Sequence, residues 1–124
     1  DLDDILEANR FLLRASSPVP GMMAGQYGVS DDAQITNCEV VEPVSVAAGC
    51  VLENCRIGPD VSVAAGVHIS DSTIENSIVM DETRIRGPLA LTTSIIGART
   101  SIAGPGSEAK AELFLADDSV ISLS

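Results

Sequence analysis

His68 is the only histidine of the chain and the first side chain to consider for catalysis. An imidazole can act as a general base on a hydroxyl or an amine near neutral pH. Such a base needs a second polar group to orient its ring, and the sequence shows no such partner. Because His68 directly precedes the apolar Ile69, we expect it on the outer surface, where a solvated histidine is the favoured interpretation.

Adjacent acidic residues are a second candidate site, here for a metal ion, since paired carboxylates can hold a hard cation. Each pair coincides with a predicted turn, which favours solvated corners over a metal site. We therefore predict no metal ligands in the chain. The pairs are Asp31 and Asp32, Asp81 and Glu82, and Asp117 and Asp118.

The three cysteines are an odd number and have no CxxC spacing, so they indicate neither a disulfide framework nor a zinc site. Cys38 and Cys55 occupy equivalent positions of a repeat. Stacking in register would make a relaxed disulfide between them geometrically awkward, so we predict reduced thiols.

A repeat of seventeen residues indicates the elements that would position these side chains. The segment SVAAGCVLENCRI (Ser45 to Ile57) is followed by SVAAGVHISDSTI (Ser62 to Ile74). Aliphatic residues extend the repeat in steps of five or six, which matches neither a helix nor an isolated strand. The pattern predicts triangular coils with one such residue per side pointing inward, because an ordinary β-sandwich does not hold a numerical frame this long. The ladder residues are Val29, Ile35, Val40, Val46, Leu52, Ile57, Val63, Ile69, Ile74, Val79, Ile85, Leu91, Ile96 and Ile102.

Residues at the predicted corners support this frame. Gly49 and Gly66 supply a permissive backbone at one corner. The five-residue steps are assigned to one corner, and a slip between Ile69 and Val79 shortens one coil to sixteen residues. Asparagine or aspartate, which tolerate a left-handed backbone, lie two places after a ladder residue at Asn37, Asn54, Asp71 and Asn76. Small residues that let the coil close follow them at Cys38, Cys55, Ser72, Ser77 and Ser94.

The chain divides into four segments. Residues 1–15 are predicted to form an amphipathic helix, 16–28 a linker rich in Gly and Pro, 29–102 about four coils, and 103–124 a capping tail. The tail is expected to form a pair of strands around Asp117 that cover the open end. Because a short helix is marginal in water, its apolar face is expected to pack on another domain or subunit.

Two outward isoleucines predict an assembly surface. Ile78 and Ile95 are seventeen residues apart, and each precedes a ladder residue. Stacked exposed aliphatics indicate a partner face, and self-association fits them best.

Arginines could form a different kind of site. Gathered on one face, they would bind phosphate or a regulatory metabolite through paired guanidinium hydrogen bonds. The first and the last lie more than two coils apart, so at most a subset can cooperate. The coil arginines are Arg56, Arg84, Arg86 and Arg99.

Composition excludes several classes of partner. A net charge of −11 makes nucleic acid and anionic membranes unfavourable partners. The near absence of aromatic residues suits a narrow interior of small aliphatics. No signal peptide or membrane-length apolar run is present, and we predict a cytoplasmic location.

Four segments resemble a known family. DILEANRFLL (Asp4 to Leu13) resembles the helix that closes the catalytic domain of sugar-1-phosphate nucleotidyltransferases. ENSIVMDETRIRG (Glu75 to Gly87), SIIGART (Ser94 to Thr100) and the tail AELFLADDSVISL (Ala111 to Leu123) resemble the C-terminal left-handed β-helix of long-form glucose-1-phosphate thymidylyltransferases. The resemblance implies a mainly β fold, a left-handed parallel β-helix with one short helix.

The resemblance also implies a role without chemistry. It places the Gly-rich nucleotide loop and the acids that bind Mg²⁺ before residue 1, so this chain would hold no cofactor. It would be a non-catalytic half that serves assembly, with a trimer favoured over a dimer, and possible regulation. The alternative is a hexapeptide-repeat sugar acetyltransferase with His68 as base in an acetyl-CoA cleft between subunits. A β-helix carbonic anhydrase is excluded, because its zinc needs three histidines.

Overall fold

A computed structural model of the chain describes residues 2–15, 29–104 and 110–122. The predicted linker, residues 16–28, lies outside the described residues. The described part contains one helix, α1 (Leu2–Ala15), and twelve strands. The strands are β1 (Gln34–Thr36), β2 (Glu39–Val40), β3 (Val44–Val46), β4 (Val51–Glu53), β5 (Arg56–Ile57), β6 (Val61–Val63), β7 (His68–Val79), β8 (Arg84–Ile96), β9 (Ser101–Ala103), β10 (Lys110–Ala111), β11 (Phe114–Leu115) and β12 (Val120–Ser122).

All strand pairings are parallel, and each strand pairs with its equivalent in the next coil. On one side of the solenoid the order is β1, β4, β7, β8, β9 and β12. Ile35 is opposite Leu52, and Leu52 is opposite Ile69, as the repeat predicts. The chain is a mainly β solenoid of about five turns, which is consistent with the predicted left-handed β-helix.

The predicted ladder forms the interior. Every ladder residue either belongs to the buried core or packs against it. Ile57, Ile74, Ile85 and Ile96 have no exposed surface. Those in the first coil are only half-buried, since among the described residues no coil covers them on one side; they are Val29, Ile35 and Val40. The frame is confirmed.

Each side of a coil contributes a second inward residue, two places before the ladder residue. The small residues Ser72, Ser77 and their equivalents predict this second position at only part of the corners. Leu89 occupies the position equivalent to Ser72 in the next coil. The remaining buried members are Val44, Cys50, Val61, Val67, Thr83 and Thr100.

Corner residues adopt the predicted backbone. Asn54 has a φ of 54°, in the left-handed region. The φ angles of Asn37, Asp71 and Asn76 also lie in this region. The Asn54 side chain accepts a hydrogen bond from Asn37 at 2.7 Å and donates one to Asp71 at 3.2 Å. The inward Ser72 hydroxyl donates back to the Ser70 carbonyl oxygen at 2.8 Å. The side chains at this corner therefore link successive coils.

Strand register corrects one detail of the corner assignment. Leu91 is opposite Ile74 rather than Ile69, so the five-residue steps lie at two different corners. The predicted slip is confirmed, because His68 is opposite Arg84, sixteen residues later. The register shifts after Ser70, which restores the seventeen-residue spacing.

The C-terminal tail continues the solenoid. As predicted, two strands flank the turn at Asp117, but each pairs in parallel with the coil beneath it. Phe114 is opposite Ile95, and Ile121 is opposite Ile102. The tail therefore covers the end by adding a further coil, one more than the count of four predicted.

Helix α1 packs on β6, β7 and β8 of its own chain. Leu6 is only 1% exposed, although it lies outside the interior cluster. Asn9 Oδ1 accepts a hydrogen bond from the Ser62 hydroxyl at 2.5 Å, and Arg10 Nη1 donates to Asn76 Oδ1 at 2.7 Å. The coils cover Leu6, so the expectation that this apolar face packs on another domain or subunit is wrong for Leu6, whereas Ile5 and Leu12 of the same face are exposed.

In the described ranges, no helix has the length and apolar character that a membrane crossing requires.

Candidate functional site

One side of the solenoid carries an open groove of about 600 Å³, here called the axial groove. Its floor is the backbone around inward residues of successive strands, among them Ile69, Ile85 and Ile102. Because side chains alternate along a strand, the residues before and after each inward residue point outward and form the two walls. The groove therefore runs across the coils from β4 to β12.

His68 stands on one wall of the axial groove. Its side chain is exposed, as predicted, and it lies between Val51 and Arg84 in register. In the part of the chain that the structure describes, its ring makes no hydrogen bond or ion pair. Nothing described orients it as a general base, so the acetyltransferase alternative gains no support.

Arg84 and Arg86 share the axial groove, on opposite walls and on either side of Ile85. The other two coil arginines lie elsewhere and have acidic partners. Arg56 Nε is 3.8 Å from Glu39, and Arg99 Nε donates to Asp118 at 2.8 Å. Two of the four coil arginines therefore lie close together on one side of the solenoid, and the other two do not. The sequence signal for this pair is an Arg-Ile-Arg triplet centred on a ladder residue.

Three carboxylates from two of the acidic pairs cap corners. Asp32 Oδ1 accepts hydrogen bonds from the Ser30 hydroxyl at 2.8 Å and the Gly49 amide at 3.2 Å, and these bonds lower the pKa of that carboxyl. The hydrogen bond from Arg99 lowers the pKa of Asp118 in the same way. Asp117 accepts a hydrogen bond from the Ala98 amide at 2.7 Å. These carboxylates therefore hold neighbouring coils together.

Asp81 and Glu82, the third acidic pair, also lie at a turn, and both are exposed. Across residues 2–15, 29–104 and 110–122, no group of three or more His, Cys, Asp or Glu residues is placed to hold a metal ion.

The three cysteines are free thiols. Burial raises the pKa of Cys55 to about 11, and it also raises the pKa of Cys50. Both Sγ atoms contact backbone carbonyl oxygens, with Cys55 at 3.0 Å from that of Glu53. Because a nucleophile must ionise, these two residues are packing groups.

The predicted assembly residues lie on the side of the solenoid that α1 contacts. Ile78 is opposite Ile95 in register, so the predicted stack is confirmed. The expected exposure is not found, since Ile78 is half-buried and Ile95 is only 9% exposed. Asn9 of α1 accepts a hydrogen bond from Ser62, which is opposite Ile78 in register, so α1 lies on this side of the solenoid.

Comparison with known proteins identifies a family for these coils. Residues 40–122 match the family model described as GMPPB C-terminal domain. The match extends from the end of β2 to the end of β12, and it covers more than half of the chain. A comparison with curated proteins finds no match. With its parallel coils and this match, the chain belongs to the family of GMPPB C-terminal domains, which are C-terminal domains of sugar-1-phosphate nucleotidyltransferases.

Proposed function

We propose that this chain is the non-catalytic β-helix half of a glucose-1-phosphate thymidylyltransferase-like enzyme. The parent reaction would join a sugar 1-phosphate to a nucleoside triphosphate, giving a nucleotide sugar and pyrophosphate. The observation that carries the proposal is the match of residues 40–122 to a C-terminal domain of this enzyme class. The finer choice of thymidylyl transfer rests on the resemblance of DILEANRFLL and of the tail to that subfamily.

The state of the polar groups supports a role without chemistry. Asp32, Asp117 and Asp118 cap corners, and the buried cysteines pack against carbonyl groups. His68 has no orienting partner among the described residues. Transfer of a nucleotidyl group needs a nucleotide, a sugar phosphate and Mg²⁺ held together, and the resemblance assigns their ligands to a preceding domain.

The chain alone is therefore expected to show no nucleotidyltransferase activity. Incubation with dTTP, Mg²⁺ and glucose 1-phosphate should release pyrophosphate at the rate of a protein-free blank. A His68→Asn variant should give the same background. Sustained release of pyrophosphate by a clean preparation would overturn the domain assignment, provided that heat denaturation of the chain abolishes it.

We further propose that the chain assembles parent subunits through the side on which α1 lies. Ile5, Ala8 and Leu12 form an exposed stripe along the helix, with Ile5 46% and Leu12 62% exposed. This stripe lies on the side of the solenoid that carries Ile78 and Ile95. The outer apolar surface on this side is therefore the helix stripe and not the two isoleucines. Exposed aliphatics in a row favour a partner. A trimer is favoured from the family resemblance, with a dimer as the second choice.

Light scattering tests this assembly. The native chain is expected to have the mass of a trimer, and Ile5→Glu combined with Leu12→Glu should lower it. Val120→Glu, at a position 82% exposed on β12 and on the axial groove, is the control and should leave the mass unchanged. Because a net charge of −11 opposes association, added salt should strengthen the native assembly. A monomeric native chain at all salt concentrations contradicts the proposal.

A further inference from the structure

Arg84 and Arg86 differ from every other arginine whose side chain the structure describes. Arg10, Arg56 and Arg99 each have a hydrogen-bond or ion-pair partner. Within the described ranges, neither Arg84 nor Arg86 has one. Two unneutralised cations side by side are unusual in a chain with a net charge of −11, where acids are plentiful.

The two arginines face each other across the axial groove. They are two residues apart on β8, which separates their Cα atoms by about 6.6 Å and sends both side chains outward. Ile85, between them, points inward and is fully buried, so its backbone forms the groove floor. Like charges at this separation repel each other, and an anion between them would relieve that repulsion.

Further hydrogen-bonding groups surround this pair. His68 and Ser101 lie on either side of Arg84 in register, each one strand spacing of about 4.8 Å away. Ser70 lies beside Arg86 on the opposite wall. Among the described residues that line the groove, Glu53 is the one acid, and Ser70 separates its strand position from that of Arg86.

We propose that the axial groove binds a small phosphate-bearing metabolite between Arg84 and Arg86. Guanidinium groups donate paired hydrogen bonds that fit phosphate oxygens, and the neighbouring hydroxyls can donate to the remaining ones. The groove volume of about 600 Å³ lies within the range of small-molecule sites. A long polyanion would be repelled by the acidic remainder of the chain, which restricts the ligand to a small one.

This inference goes beyond the proposed function and needs no activity of a parent enzyme. Calorimetric titration of the chain with pyrophosphate at low ionic strength is the test, with sodium chloride of equal ionic strength in the reference. Inorganic phosphate and glucose 1-phosphate, titrated separately, distinguish a diphosphate from a monoester ligand. Saturable binding that weakens as salt is added is expected.

Arg84→Gln combined with Arg86→Gln should raise the Kd for pyrophosphate at least tenfold. Arg56→Gln combined with Arg99→Gln removes the same two charges elsewhere, and it should change the Kd less than threefold. All four substitutions are at exposed positions, and denaturant midpoints should show that both double variants remain folded.

Three results would overturn the proposal. One is an absence of saturable binding by the native chain up to about 10 mM ligand. Another is an equal loss of affinity in both double variants, which would mean that the net charge of the chain, and not the groove pair, determines the affinity. The third is a native chain that binds no phosphate while the Arg84 and Arg86 double variant has a lower mass in light scattering. That outcome would assign the pair to a contact between copies of the chain.

Discussion

Ile57→Asp is expected to lower the free energy of unfolding by about 3–5 kcal/mol, the largest effect of any substitution considered for this chain. Ile57 has no exposed surface and lies between Val40 and Ile74 in the stacked interior. A carboxylate there would lose its water and find only aliphatic neighbours in place of hydrogen-bond donors. Denaturant unfolding, followed by far-UV circular dichroism, measures the loss.

Arg56→Asp is the matched control, because it places the same side chain one residue earlier. Arg56 points outward and is exposed, and its contact with Glu39 is 3.8 Å long and open to solvent. Exposed ion pairs contribute little, so the cost should stay below about 1 kcal/mol. Equal losses in the two variants would mean that the inward and outward positions are assigned wrongly.

Leu6→Asp is expected to release α1 from the coils. Leu6 is 1% exposed, and a helix of fourteen residues is marginal in water once its packing is lost. We expect the helical signal at 222 nm to fall while the unfolding transition of the coils persists. Loss of a buried leucine contact typically costs about 2–5 kcal/mol, enough to melt such a helix.

Phe11→Asp serves as the control for this helix. Phe11 is 71% exposed, so an aspartate there removes no buried contact and the helical signal should remain. A Leu6→Asp variant that keeps its full helicity would show that this contact with the coils does not hold α1.

The interior of the solenoid could be predicted because its frame is numerical. Each ladder residue recurs at a fixed interval, and the parallel register aligns Leu52 with Ile69 as that interval requires. The surface on which α1 packs could not be predicted in the same way. An apolar stripe around Leu6 shows which face of a helix is buried, but any apolar surface of the right shape could cover it. The stripe therefore predicts another domain or subunit as its cover, whereas the coils cover Leu6.

The axial groove depends on one irregular step. With a constant interval of seventeen, His68 would stand opposite Ile85. The slip to sixteen places Arg84 there instead, and it leaves Ile69 opposite Ile85. A shift of one residue reverses which side chains point outward, so the outward position of both arginines depends on this slip. The ladder predicted the slip, and the structure added the groove and the acidic partners of the other two coil arginines.

We propose that these coils are the C-terminal half of a sugar-1-phosphate nucleotidyltransferase, and sequencing the genomic DNA upstream of the codon for Asp1 tests this proposal. We expect an open reading frame in phase with this chain that encodes a Gly-rich nucleotide loop and acids suited to Mg²⁺. An upstream region that encodes an unrelated domain, or none, would contradict it.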